Sequence, residues 1–118
     1  MSKLALFIKT KTLPGKRDEV RLLWEKHLKP KAETSSAQEL YFYCYDDNDP
    51  DTLYTFELYR DGEAFHQAGP KPWFAEYMKE AGPLLAGRSE VSVTTPVWAK
   101  GCRSSDASPV TSAPPFAS

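Results

Sequence analysis

The sequence has little of what cross-linked or cofactor-bound small proteins need: of its 118 residues only two are cysteine, two histidine and six glycine. Cys44 lies in a strand-like stretch and Cys102 in a tail, with no Cys-x-x-Cys pair and no Cys/His metal spacing. A disulfide framework and a zinc module are therefore not expected, and Cys44 reads as a free, buried thiol. No glycine-rich phosphate loop or nucleophile elbow occurs, and no cofactor or metal is expected. No apolar run approaches the roughly 18 residues that span a bilayer. Leu4 to Ile8 is too short for a signal peptide and no small-residue cleavage site follows, so a cytoplasmic, membrane-free protein is expected. Fifteen Lys and Arg against sixteen Asp and Glu leave a formal charge of −1. The basic residues are scattered, which argues against nucleic acid as a partner.

What the chain does have is aromatic residues, 13% of the total, crowded between positions 41 and 59. Around them the periodicities are readable. Residues 3–12 alternate as a strand with both faces partly apolar, ended by Pro14 and Gly15. Val20, Leu23, Trp24, His27 and Leu28 then draw one apolar helical stripe, with Asp18 and Glu19 suited to the positive end of that helix. Pro30 is expected to stop it, leaving residues 31–37 as a linker. Residues 38–46 form a second strand with Glu39, Tyr41, Tyr43 and Tyr45 on one face and Leu40, Phe42 and Cys44 on the other. The acidic stretch 46–51 reads as a turn; it lacks the Gly and distal Glu of a calcium loop. Residues 52–59 form a third strand, placing Leu53, Thr55, Glu57 and Tyr59 opposite Tyr54, Phe56 and Leu58. The short connection makes the pair an antiparallel hairpin.

A second helix begins near Asp61, a plausible N-cap, breaks at Pro70 and Pro72, and resumes with Trp73, Phe74, Tyr77 and Met78 toward a core. Gly82 and Pro83 end it. Residues 89–98 read as a fourth strand ending near Trp98, a core residue in this reading along with Trp24 and Trp73. Residues 1–99 thus form one α+β domain. Residues 100–118, rich in Ser, Ala and Pro, form a disordered or loosely docked tail. The order β-α-β-β-α-β implies a four-stranded antiparallel sheet with both helices on one face, the ferredoxin-like arrangement.

Helices can cover only one side of such a sheet, yet the strands are apolar on both, whereas a sheet with one wet face alternates apolar with polar. A second copy, packed sheet to sheet as a homodimer and forming a dimeric α/β barrel, would cover the other side. Tyr41, Tyr43 and Tyr45 read as packing at that interface. Glu57, a carboxylate among aromatic neighbours, is either satisfied at the dimer face by tyrosine hydroxyls or a basic partner, or is a base whose pKa desolvation raises. His66 is a solvated or capping residue or a proton shuttle lining a pocket. His27 is a core histidine with one hydrogen bond. With Trp24 it could instead approach Phe65 and Trp73 around a small aromatic ligand held between sheet and helices.

The segments "LPGKRDEV", "FELYRDGEAF" and "PWFAEYM" together resemble the antibiotic-biosynthesis monooxygenase family of the dimeric α/β-barrel superfamily, over roughly residues 3 to 99. Glu57, Tyr59, Ala64, Phe65, Pro72 and Phe74 fall on positions of the family's pattern. The resemblance implies cofactor-independent oxidation of a quinol or polycyclic phenol, in which the deprotonated substrate itself reduces oxygen. On that implication Glu57 or His66 is the base, Tyr59, Phe65, Trp73, Phe74 and Tyr77 border the substrate, and Trp24 with His27 closes the lid side. The strand tyrosines could then also donate hydrogen bonds to a quinol. The chain departs from the pattern as well. The family's two histidine positions hold Ala68 and Trp73, and Tyr59 stands for its Trp. The Asn and Tyr of relatives that oxidise polyketide quinols match Thr55 and Phe65. The positions used by haem-degrading relatives lie near Ile8, Ala68 and Met78, so haem degradation is not expected. A non-catalytic, ligand-binding or stress-related dimeric barrel is the alternative.

Overall fold

In the computed structural model, which describes residues 2–101, Leu4–Lys11 forms β1 and Arg17–His27 forms α1. A short α2, Lys29–Thr34, leads to β2, Gln38–Tyr45, and β3, Thr52–Tyr59. Gly62–Ala68 is α3 and Pro72–Ala81 is α4, followed by a 3₁₀ turn at Gly82–Leu84 and by β4, Glu90–Thr94. The expected tail falls outside the described residues from 102 onward, and Cys102 with it. The sheet order is β2-β3-β1-β4 with every neighbouring pair antiparallel. This is the ferredoxin-like topology that the order of elements implies. Among the described residues no helix is long and apolar enough to cross a membrane.

Three expectations change. Pro30 does not end helical structure but opens α2, sitting in the first turn where its missing N–H has no partner to lose. Residues 31–34 are therefore helical, not linker. The fourth strand ends at Thr94, whose hydroxyl donates to the Ala5 carbonyl at 2.9 Å. Trp98, read as core, lies beyond the strand and is 78% exposed.

The acidic turn is built as expected. The Asp46 carboxylate accepts from the Asn48 and Asp49 amides, and Asp49 accepts from the Asp51 amide and the Thr52 hydroxyl. Arg17, at the start of α1, donates to the carbonyls of Asp46, Asp49 and Thr52 at 2.9–3.1 Å and lies 3.8 Å from the Tyr45 ring centre. A guanidinium thus fills the place a cation would take, and no metal-holding cluster occurs among the described residues.

The ladder register decides which residues share a side. Leu6, Glu57 and Tyr41 stand in one row, Ile8, Thr55 and Tyr43 in the next, and Thr10, Leu53 and Tyr45 in a third. The Trp24 ring packs on Tyr41 and Tyr43 from α1, and Phe65 packs on Tyr59 from α3. The helices therefore cover this side, and Leu4, Leu6, Val20, Leu53 and Tyr77 are buried in the layer between. Tyr41, Tyr43 and Tyr45, read as dimer packing, and Glu57, read as a possible dimer-face carboxylate, are on the wrong side of the sheet for that role. The opposite face carries Phe7, Phe56 and Phe42, directly aligned across β1, β3 and β2, with ring centroids 4.9 and 5.8 Å apart. Phe7 is 51% and Phe42 53% exposed. Cys44 shares that open face and is exposed, not the buried thiol expected.

Candidate functional site

Glu57 sits at the centre of the helix-covered face, 9% exposed. Its Oε1 accepts the Tyr59 hydroxyl proton at 2.7 Å and the Gln38 side-chain amide at 3.2 Å, and the same amide donates to the Tyr59 oxygen at 2.8 Å. Tyr41, beside Glu57 in the row, accepts the Trp24 indole N–H at 3.0 Å. No Lys or Arg pairs with Glu57 among the described residues. Burial pushes its carboxyl above the usual range, and the Tyr59, Tyr41 and Gln38 hydrogen bonds pull it part of the way back. The same burial, reinforced by the neighbouring Glu57 charge, holds Tyr41 and Tyr59 protonated well above the ordinary phenol range. The cluster is a desolvated carboxylate ringed by neutral donors, so a proton arriving there meets an acceptor stronger than a solvated glutamate.

Gln38 was not among the residues singled out from the sequence, and the reason is geometric. Strict alternation puts Gln38 on the side of Leu40 and Phe42. A bulge between Gln38 and Leu40 shifts the register so that Gln38 pairs with Tyr59 and Leu40 with Leu58. One extra residue turns the amide over to the helix side. No local sequence signal marks it.

The other expected site residues divide. Tyr59 bonds Glu57 and carries the Phe65 ring at 4.6 Å, while Trp24 packs on Tyr41, the neighbour of Glu57 in the row. Tyr77 is buried, with the His27 ring set edge-on to it at 6.3 Å between centroids and the Phe74 ring at 5.9 Å, although Phe74 itself is half exposed. His27 Nε2 lies 2.8 Å from Glu80, which Lys26 also meets at 3.3 Å, so His27 ties α1 to α4 near the surface. Trp73 is half-buried on α4. His66 is exposed on α3, touching the Phe65 ring, and lines an open depression of about 350 Å³ with Lys3, Asp61 and Glu63. A second depression, about 460 Å³, lies beside Arg17 and Asp51. Glu57 walls neither, so the structure does not bring His66 and Glu57 to one pocket. At the far edge Val91 and Val93, aligned with Ile8 and Leu6 on the helix side, are both more than half exposed. The helices stop short of β4.

No family model and no curated protein matches the chain. Solved structures do match. A protein provisionally named an antibiotic biosynthesis monooxygenase from Chloroflexus aurantiacus J-10-fl is 23% identical over 85% of this chain and 98% of its own, with a TM-score of 0.68. One of the same provisional name from Caulobacter crescentus CB15 is 16% identical over 82% and 92%, with a TM-score of 0.73. A protein of unknown function from Nitrosomonas europaea is 26% identical over 85% and 94%, with a TM-score of 0.66. The chain therefore has the fold of the structures named as antibiotic biosynthesis monooxygenases, the group its sequence segments resemble.

Proposed function

We propose that the protein is a homodimeric, cofactor-independent monooxygenase of a quinol or polycyclic phenol, with Glu57 as its base. The observation that carries this reading is the buried Glu57 carboxylate, desolvated among aromatic rings and held by Tyr59 and Gln38 without a cation. A base in that setting is matched to a phenolic proton better than a solvated carboxylate would be. In the reaction a 1,4-dihydroxyarene gives one phenolic proton to Glu57, and the phenolate passes an electron to O₂. The radical pair combines at a ring carbon to form a C–O bond. The ring C–H proton passes to the outer peroxide oxygen, the C–H electron pair forms the new C=O as the O–O bond breaks, and the departing hydroxide takes the proton back from Glu57 as water. Dihydroxyarene and O₂ thus give hydroxyquinone and water, one oxygen atom entering the ring. Burial among Trp24, Tyr59 and Phe65 supports the reading by keeping water from the intermediate. His66 is given no step.

The dimer rests on the open face. The row of Phe7, Phe56 and Phe42 is contiguous apolar surface, worth on the order of 25 cal/mol per Å² when covered, before ordering costs. Joining two such faces builds the α/β barrel that the resemblance implies.

The second reading, a ligand-binding protein without chemistry, is favoured by one observation: Glu57 Oε1 already has two donors. Oxygen uptake with anaerobically reduced menadiol decides between them. Uptake is expected with the wild type, falling at least about a hundredfold in Glu57→Gln and persisting in His66→Ala. No protein-dependent uptake across several quinols would favour the binding reading, and unchanged uptake in Glu57→Gln would remove Glu57 from the chemistry.

A further inference from the structure

The helix-covered face buries tyrosine hydroxyls in a layer with few free donors, and their partners can be followed one by one. Tyr41 accepts from Trp24, Tyr59 is bonded to Glu57 and Gln38, and Tyr45 donates to Asp18 at 2.6 Å. Tyr43 has nothing: its hydroxyl oxygen is shielded from solvent and has no hydrogen-bond partner among the described residues. The Trp24 ring lies against Tyr43 with centroids 4.3 Å apart, but its single N–H is committed to Tyr41. Thr55, opposite Tyr43 in the ladder, makes no bond to it. Tyr77 is buried on α4 against His27 and Phe74, and its hydroxyl is not among the shielded oxygens that lack a partner. Desolvation pushes the Tyr43 hydroxyl well above the ordinary phenol range.

A buried hydroxyl without a partner lowers stability, and phenylalanine would fill the same space without that penalty. We infer that the Tyr43 hydroxyl is the anchor for the oxygen of an aromatic ligand that packs against Trp24. The inference rests on the small-aromatic-ligand reading above and assigns the ligand a feature: a hydroxyl or carbonyl oxygen on a ring system, placed one ladder row away from Glu57. A plain hydrocarbon of the same shape leaves Tyr43 unsatisfied. Above this layer α1 and α4 are fastened at the surface by Lys26 and His27 on Glu80, an exposed tie of the kind that contributes little.

The test uses the full chain with Tyr43→Phe. The variant is expected to melt a few degrees above the wild type. By isothermal titration it should bind 2-naphthol about tenfold more weakly while its affinity for naphthalene stays the same. A melting temperature equal to or below that of the wild type overturns the inference, because the hydroxyl is then satisfied within the fold. Equal change for both probes, or wild type that binds no 2-naphthol, overturns it as well. The outcome separates from that of the oxygen-uptake experiment. A protein inert toward quinols that still binds 2-naphthol through Tyr43 keeps the anchor and loses the reaction. An active protein indifferent to Tyr43→Phe keeps the reaction and loses the anchor.

Discussion

The two faces of the sheet are both aromatic, and they are built on different chemistry. The helix-covered face is tyrosine with one glutamate; the open face is phenylalanine, with Tyr54 and Cys44 beside it. A phenylalanine asks only for cover, and any apolar surface can supply it. A tyrosine under a helix asks for a hydrogen-bond partner at a fixed point, and the covered face supplies these through Trp24, Gln38, Glu57 and Asp18. The undemanding face is suited to a second copy of the chain. The demanding one is suited to recognition, since each hydroxyl has a direction.

Breaking the open face should have the largest effect. Phe42→Asp places a charge at the β2 end of the phenylalanine row, at a position more than half exposed in the single chain, so the fold itself should survive. The dimer is expected to weaken by at least about thirtyfold, the scale of a hot-spot aromatic replaced by a charge. Sedimentation equilibrium at micromolar concentration would then shift from dimer to monomer. A wild type that is already monomeric would mean the row has some other purpose.

On the covered face, Trp24→Phe keeps the stacked ring and deletes the N–H that Tyr41 receives. Urea unfolding should show a loss of about 2 kcal/mol, combining the unmet Tyr41 bond with the volume removed. A neutral result would mean that water takes over the bond, and that the covered face is less dry than its burial indicates.

The smallest effect sharpens the contrast electrostatically. The folded-state pKa of Glu57 lies above its ordinary 4.5, with desolvation the largest cause. The folded protein therefore binds this proton more tightly than the unfolded chain. The resulting stability is fully present below 4.5 and is lost as pH rises through the folded value. Glu57→Gln, which cannot ionise, should flatten this part of the stability curve. Melting curves of both proteins from pH 4 upward check it; parallel curves would show that the hydrogen bonds cancel the effect of burial.

Much of this was legible in the chain, and the failures share a cause. Residues 52–59 read as a strand and are β3 to the residue, because Pro50 and the acidic turn bracket a run of β-formers. The grouping of Leu53, Thr55, Glu57 and Tyr59 on one side was also legible, since alternation is a local property. Which side the helices cover was not, because period two says who stands together and nothing about what lies above them. A phenol row could have been recognised as the covered one by asking where its hydroxyls find donors, and Trp24 was the available answer. Pro30 misled because proline is as good a beginning as an end. For the site, Glu57, Tyr59, Phe65 and Trp24 were legible as unusual residues in unusual company, whereas Gln38 depended on the bulge. His66 drew notice as one of two histidines, yet α3 holds it on the outside.

The bulge in β2 has a consequence for how relatives should be compared. Where the amide stands in an alignment depends on the number of residues before Leu40 as well as on their identity. Removing Glu39 would make Gln38 the residue next to Leu40, so a regular ladder would hold the amide opposite Tyr59 on the helix side without any bulge. Two descendants differing by a single codon deletion would then look out of step on paper while both keep the polar support of the carboxylate.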